Sequence, residues 1–183
     1  MLNGEGPLGP IEKHLGERRL VMSSRILMHG EAMQADGPFA PVLGAIAIWE
    51  ALRGADAVPW RRDLRPERFG TYLPKMSILD VDLVKRDFRW TLHGGEHEYW
   101  MGGSLKGRRA SEIPGRAAAV LREQTVSLAE GREPGFIEIR YDLDGTLFLS
   151  AHVIALPFAR EDAGACTLLC PTNFIAHGHR DML

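Results

Sequence analysis

Three side chains near the middle of the sequence, His93, Glu96 and His97, have the types and spacing of metal ligands. Offsets of three and four residues bring side chains together on one face of a helix, and imidazole and carboxylate groups bind zinc or iron. Gly94 and Gly95 lie inside this stretch and disfavour a regular helix. We therefore expect a solvated loop without a metal ion here.

A second histidine pair lies near the end of the chain, where Gly178 separates His177 from His179. A metal site needs partners that orient each imidazole, and a glycine-containing chain end does not supply them. We predict a frayed tail without a metal site.

His152 lies in the middle of an apolar run. A neutral imidazole hydrogen-bonded to a nearby carbonyl or carboxylate is the usual explanation for such a residue, and a ligand contact is the alternative. Large side chains elsewhere could form the wall of a cavity for an aromatic or lipid-like molecule, although such residues more often form plain core. The candidate ligand-binding residues are Trp90, Leu92, Tyr99, Trp100, Met101, Phe148 and His152.

Sequence patterns for covalent catalysis and for nucleotide binding are absent. No Gly-x-Ser-x-Gly elbow, P-loop or dinucleotide fingerprint occurs. Cys166 and Cys170 lie in an apolar run, and we expect both to be reduced and structural. An enzymatic alternative stays open, namely a small α+β enzyme in which His152 or His93 works with a carboxylate as acid and base.

Composition limits the classes of partner. The chain has 183 residues, a mass of 20.3 kDa and a net charge of -2, which favours one soluble domain without a global basic field for nucleic acid. A mixed run of arginines between residues 61 and 68 is interleaved with acids, so we expect a solvated face. No secretion signal and no membrane-spanning run is evident, so we expect a cytoplasmic protein.

Hydrophobic periodicity and turn residues predict the order of elements from residue 41 onward. Helices are predicted at 43–53, 67–73 and 115–130, and strands at 77–84, 88–93, 136–141, 146–158 and 166–170. Hairpin connections at both ends favour an antiparallel sheet, so the predicted class is α+β. The run 147–158 is apolar on both faces, so the leader, the first helix or a second subunit must cover its second face.

Several short motifs follow one another between residues 49 and 158. They are Trp49-Glu50-Ala51-Leu52-Arg53-Gly54, then Pro59, Arg61, Asp63 and Pro66, Leu73-Pro74, Ile78-Leu79-Asp80-Val81, Phe88-Arg89-Trp90-Thr91-Leu92, Gly94-Gly95, Gly102, Leu105, Gly107 and Arg108, and Leu156-Pro157-Phe158. Together they resemble a bacterial family of single-domain PAS proteins that is common in alphaproteobacteria. The resemblance covers residues 39–170.

The resemblance implies a PAS-like five-stranded antiparallel sheet with helices on one face. Residues 1–38 would be an N-terminal helical extension that covers the sheet or supports a dimer, and residues 171–183 a C-terminal tail. The chain departs from the family pattern at Ser104 and Lys106 and in having His93 and His97. The helix 115–130 has no histidine for haem, and no cysteine lies near Tyr99 for a flavin adduct. The cofactor therefore stays unknown.

The function that follows from the resemblance is a stand-alone sensory or regulatory module in signal transduction. It would bind a small molecule, a partner protein or both, and would carry no output domain of its own. A homodimer is a secondary expectation. The alternatives are the small acid-base enzyme described above and a structural adaptor without a ligand.

Overall fold

The computed structural model describes residues 20–177, which form a six-stranded antiparallel sheet packed between helical segments. The strands are β1 (Leu20–Leu27), β2 (Met76–Asp82), β3 (Asp87–His93), β4 (Gly135–Leu143), β5 (Thr146–Ala159) and β6 (Ala165–Ala176). Their order across the sheet is β1-β4-β5-β6-β2-β3. The α+β class with an antiparallel sheet is confirmed. β2 to β6 are the five predicted strands, and β1 is a sixth that the sequence analysis missed.

Four α-helices accompany the sheet in the described part of the chain. They are α1 (His29–Ala32), α2 (Gly44–Arg53), α3 (Gly95–Met101) and α4 (Arg116–Gly131), with 3₁₀ segments at Ala40–Val42, Arg61–Asp63, Pro66–Lys75 and Ala110–Glu112. α2 ends at Gly54 as the sequence indicates, because this residue has a φ of 58° that favours glycine. No helix in the described part of the chain is long and apolar enough to cross a membrane.

The central strand β5 is buried on both faces, as its sequence predicts. Ile154 and Leu156 pack with Trp49 of α2 on one face of the sheet, whereas Ala155 packs with Val126 of α4 on the opposite face. Trp49 also donates a buried hydrogen bond of 2.7 Å from its Nε1 to the Pro157 carbonyl of β5. α2 therefore covers the second face of β5. Helices lie on both faces of the sheet, whereas the expected fold had helices on one face.

The N-terminal extension differs from the helical extension expected there. From residue 20 it forms β1, which pairs along its length with β4, and only the four residues of α1 are helical. β1 lies at the sheet edge and alternates between half-buried and exposed side chains, and then ends with the adjacent pair Ile26 and Leu27. This weak and interrupted alternation explains why the sequence pattern did not predict a strand.

The final strand is longer than predicted. Residues 171–176, assigned from the sequence to the tail, continue β6, and Thr172 to Ala176 pair with β5. Pro171 interrupts the sequence pattern because it has no N–H group, but it lies where the β5–β6 pairing has a gap between Val153 and Leu156. The strand therefore continues past the proline.

Candidate functional site

A cavity of about 480 Å³ lies between one face of the sheet and the helices α3 and α4. β4, β5, β6, β2 and β3 form its floor, the first turn of α4 forms one wall, and the start of β1 reaches its rim. The lining is largely apolar, and its larger side chains include Leu79, Phe88, Trp90, Met101, Leu105, Leu121, Ile137, Ile139, Tyr141, Val153 and Phe174.

The polar floor residues form a row across three neighbouring strands. In the strand register Ser77 of β2 lies opposite His93 of β3 on one side and opposite Cys170 of β6 on the other. All three residues are buried and line the cavity. Ser77 is 3% exposed, and its Oγ has no hydrogen-bond partner among the described residues. A buried hydroxyl without a partner is uncommon in native proteins.

The two histidines of this region lie side by side, with their ring centroids 5.2 Å apart. His93 Nδ1 accepts a hydrogen bond of 3.3 Å from the Leu105 backbone N–H. His97 Nε2 lies 3.2 Å from the Lys75 carbonyl oxygen and therefore donates to it. Burial lowers the pKa of His93, and burial next to His93 lowers the pKa of His97 to about 3. Both imidazoles are therefore neutral near pH 7.

The remaining ionisable groups inside the cavity are also uncharged. Burial raises the pKa of the Tyr141 phenol, and it raises the pKa of the Cys170 thiol to about 12. Tyr141 Oη donates to Met101 Sδ at 3.7 Å. Among the described lining residues only Arg116 carries a fixed charge, and it is exposed at the N-terminal end of α4. No aspartate or glutamate between residues 20 and 177 lines the cavity.

The structure separates the sequence-predicted ligand-binding residues into two groups. Trp90 and Met101 line the cavity. The others, Leu92, Tyr99, Trp100, Phe148 and His152, do not line it. Leu92 packs against the hydrophobic core on the α2 face of the sheet, and Tyr99 is exposed. Contact of Trp90 and Met101 with a ligand stays a prediction.

His152 lies on the α2 face of the sheet, away from the cavity. Its Nε2 is 3.6 Å from Glu138 Oε1, and its ring makes an edge contact with Phe39 at 5.2 Å. Desolvation lowers the pKa of His152, despite the opposing effect of Glu138. Nearby, Ser150 Oγ lies 2.9 Å from His177 Nε2. Of the terminal histidine pair, only His177 is among the described residues, because His179 lies outside them.

The solvated loop expected around His93 is wrong, because His93 is buried and residues 95–101 form α3. Gly94 and Gly95 do not interrupt this helix, since Gly94 is its extended N-cap and Gly95 its first residue. Within residues 20–177 no group of three histidine, cysteine, aspartate or glutamate side chains has a metal-binding arrangement.

Ser77 and Cys170 were not predicted from the sequence as parts of a site. The alternation of β2 contains a signal for Ser77, since Ser77 and Leu79 face the cavity and Ile78 faces α2. The pairing of β2 with β6 brings Cys170 beside Ser77. That pairing joins segments about ninety residues apart, so local periodicity could not predict it.

A protein-family model described as a PAS domain matches residues 40–170 of the chain. No curated protein and no solved structure matches it.

Proposed function

The chain belongs to the PAS domain family of sensory and signalling modules, and we propose that it binds a small molecule in the cavity between the sheet and helices α3 and α4. The cavity itself is the observation that carries this proposal. Its volume of about 480 Å³ is within the range of known small-molecule sites, about 300–1,000 Å³. A mostly apolar lining with a few polar groups is also typical of such sites.

The mechanism that we propose is a ligand-dependent change in the packing of α4. The first turn of α4 lines the cavity, and further along the helix Gln124 donates a hydrogen bond of 3.2 Å to the Ser24 carbonyl of β1. Arg86 holds the same helix by 2.8 Å contacts to Glu123 and Glu130. A ligand that favours one packing of α4 would shift the population toward it. This shift would change the outer surface of α4, which a regulatory partner protein would bind.

We propose that this function is not catalytic. An acid-base pair in the cavity would need a carboxylate beside His93 or His97, and the described lining contains none. His152 does lie near the carboxylate of Glu138, but neither residue lines the cavity. The enzyme alternative therefore has less support than ligand binding. The ligand-free adaptor is distinguished from a ligand-binding module by experiment.

Homodimer formation and a cytoplasmic location also remain proposals. Helices of the same chain cover both faces of the sheet. A second subunit is therefore not needed to cover β5, which was the reason to expect a dimer through a sheet face. The exposed apolar side chains Val21 and Ile26 instead lie on β1, and Met28 and Met33 lie at the two ends of α1, at one edge of the sheet. We propose this edge as the dimer contact. Light scattering after size-exclusion chromatography that shows only monomer at high concentration would contradict it.

Titration with the neutral apolar dye N-phenyl-1-naphthylamine tests the ligand-binding proposal. We expect saturable fluorescence enhancement with one dye per chain. The substitution Ala151→Phe fills the cavity floor and should abolish binding, while circular dichroism reports whether the variant is folded. Val120→Phe adds the same ring at an exposed position of α4 outside the cavity and should retain binding. Equal binding by wild type and a folded Ala151→Phe variant would contradict the proposal.

A further inference from the structure

The unpaired hydroxyl of Ser77 indicates what kind of ligand the cavity accepts. Burying a hydroxyl without a hydrogen bond is costly. Ser77 and Leu79 line the cavity whereas Ile78 between them packs on the α2 side, so alternation along β2 directs the Ser77 side chain toward the cavity. A ligand atom that completes this hydrogen bond would remove the cost.

His93 adds a second polar atom with a defined role. The Leu105 N–H can only donate, so His93 Nδ1 must be without a proton, and the neutral ring carries its proton on Nε2. His93 lines the cavity, and the Nε2 proton is the donor that its neutral ring can offer there. Since Ser77 and His93 face each other across β2 and β3, one N–H donor and one hydroxyl are available at the same end of the cavity.

We propose that this end of the cavity binds an uncharged, largely apolar molecule through a carbonyl or hydroxyl oxygen that accepts hydrogen bonds from Ser77 Oγ and His93 Nε2. The inference rests on the proposed function and specifies its ligand class. A ligand N–H group in this place would face the His93 donor and leave it unpaired. A carboxylate would lack a fixed cation inside, because Arg116 is exposed at the end of α4.

The test uses two probes, butyrophenone and butylbenzene, that differ in one group. Butyrophenone has a carbonyl group where butylbenzene has a methylene. Each probe is titrated as a competitor of N-phenyl-1-naphthylamine, and 4-propylbenzoate is included as the anionic counterpart. The quantity of interest is the preference, defined as the butylbenzene Kd divided by the butyrophenone Kd. This ratio cancels effects of a substitution that act on both probes equally.

We expect Ser77→Ala to lower the preference by roughly three- to tenfold, the value of one lost hydrogen bond, with butylbenzene affinity unchanged. The Tm of the ligand-free Ser77→Ala protein should be equal to or above that of wild type, because the removed hydroxyl had no partner. Ser77→Gly removes the same hydroxyl and serves if the alanine variant does not fold.

Ser150→Ala is the matched control. Ser150 is also a buried serine of the sheet, but its hydroxyl is paired with His177 and it does not line the cavity. We expect it to leave the preference unchanged and to lower the Tm.

Three results would overturn the inference: an unchanged preference in both Ser77 variants, no binding of butyrophenone to wild type, or tighter binding of 4-propylbenzoate than of butyrophenone. Displacement of the dye by butylbenzene with no role for Ser77 would leave the proposed function intact and remove only the ligand class. Failure of the dye itself to bind would instead count against the proposed function.

Discussion

Gly94 and Gly95 are adjacent glycines with different structural roles. A Cβ atom at Gly94 would lie 2.5 Å from the Pro74 oxygen, 2.8 Å from the Leu73 oxygen and 2.9 Å from the Met76 oxygen, all of them backbone atoms. A Cβ at Gly95 would meet nothing within 4 Å. The first glycine of the motif is therefore required by close packing, whereas the second is not.

We expect Gly94→Ala to lower the free energy of unfolding by about 2–4 kcal/mol, since the backbone must move to relieve the contact. Gly95→Ala is the control and should be neutral or stabilising by up to about 1 kcal/mol, because Gly95 is the first residue of α3. Urea denaturation measures both. Equal effects of the two substitutions would contradict this assignment.

His97 makes stability depend on pH. Its pKa is about 3 in the folded chain against 6.5 for an ordinary histidine, so between these values the unfolded chain binds a proton that the folded chain does not. The stability is fully present above pH 6.5 and is lost as the pH falls toward 3. From pH 7 to pH 5 the loss from this residue is about 2 kcal/mol.

His97→Gln should remove most of this loss, because glutamine does not titrate but retains an N–H donor for the Lys75 carbonyl. Urea denaturation at both pH values measures the difference. His29→Gln changes an exposed histidine and leaves His93 and His97 in place, so it serves as the control. The assignment fails if the pH dependence of His97→Gln equals that of wild type.

Single residues of the site were only partly predictable from sequence. Trp90 lines the cavity as its position in an alternating strand suggests, whereas Phe148 and His152, also in a predicted strand, do not. Alternation predicts which residues share a face, but a register shift in the β2–β3 pairing places Trp90 and Leu92 on opposite faces. Alternation also does not determine which face adjoins the cavity. That depends on where α2 and α4 pack, which is long-range information.

At the scale of elements, a buried contact joins two motifs of the family that are distant in sequence. Trp49 in α2 donates its Nε1 hydrogen to the carbonyl oxygen of Pro157 in β5. Trp49→Phe retains an aromatic ring but leaves this carbonyl without its partner. We expect a loss of about 1–3 kcal/mol in the free energy of unfolding.

Trp60→Phe is the control for this substitution. Trp60 is half-buried, and its ring packs under the Arg62 guanidinium, which phenylalanine can also do. We expect a loss below about 1 kcal/mol. Thermal or urea denaturation compares the two, and a larger loss for Trp60→Phe would contradict the role given to Trp49.

The elements themselves were predictable where their signals are local. α2, α4 and the hairpin of β2 and β3 have strong periodicity and clear boundaries, and the structure has them close to the predicted places. β1 was missed because an edge strand needs only a partly apolar face, and its stability comes from pairing with β4. The same kind of tertiary pairing carries β6 past Pro171.

For the whole molecule, we propose that this chain of the PAS domain family holds a small molecule between its sheet and α4. The two faces of the sheet differ in this respect: the α2 face packs around Trp49, Phe39 and Phe158, whereas the α4 face encloses about 480 Å³. The free energy falls when an apolar ligand leaves water and enters a largely apolar cavity of this volume.

Native mass spectrometry of the freshly purified chain would detect such a bound molecule. We expect a population whose mass exceeds that of the polypeptide by one small molecule, and the loss of this excess after denaturation. The cavity-filling variant Ala151→Phe should show the polypeptide mass alone. A wild-type spectrum with the polypeptide mass alone, together with no dye binding, would contradict ligand binding in the cavity and favour a ligand-free adaptor.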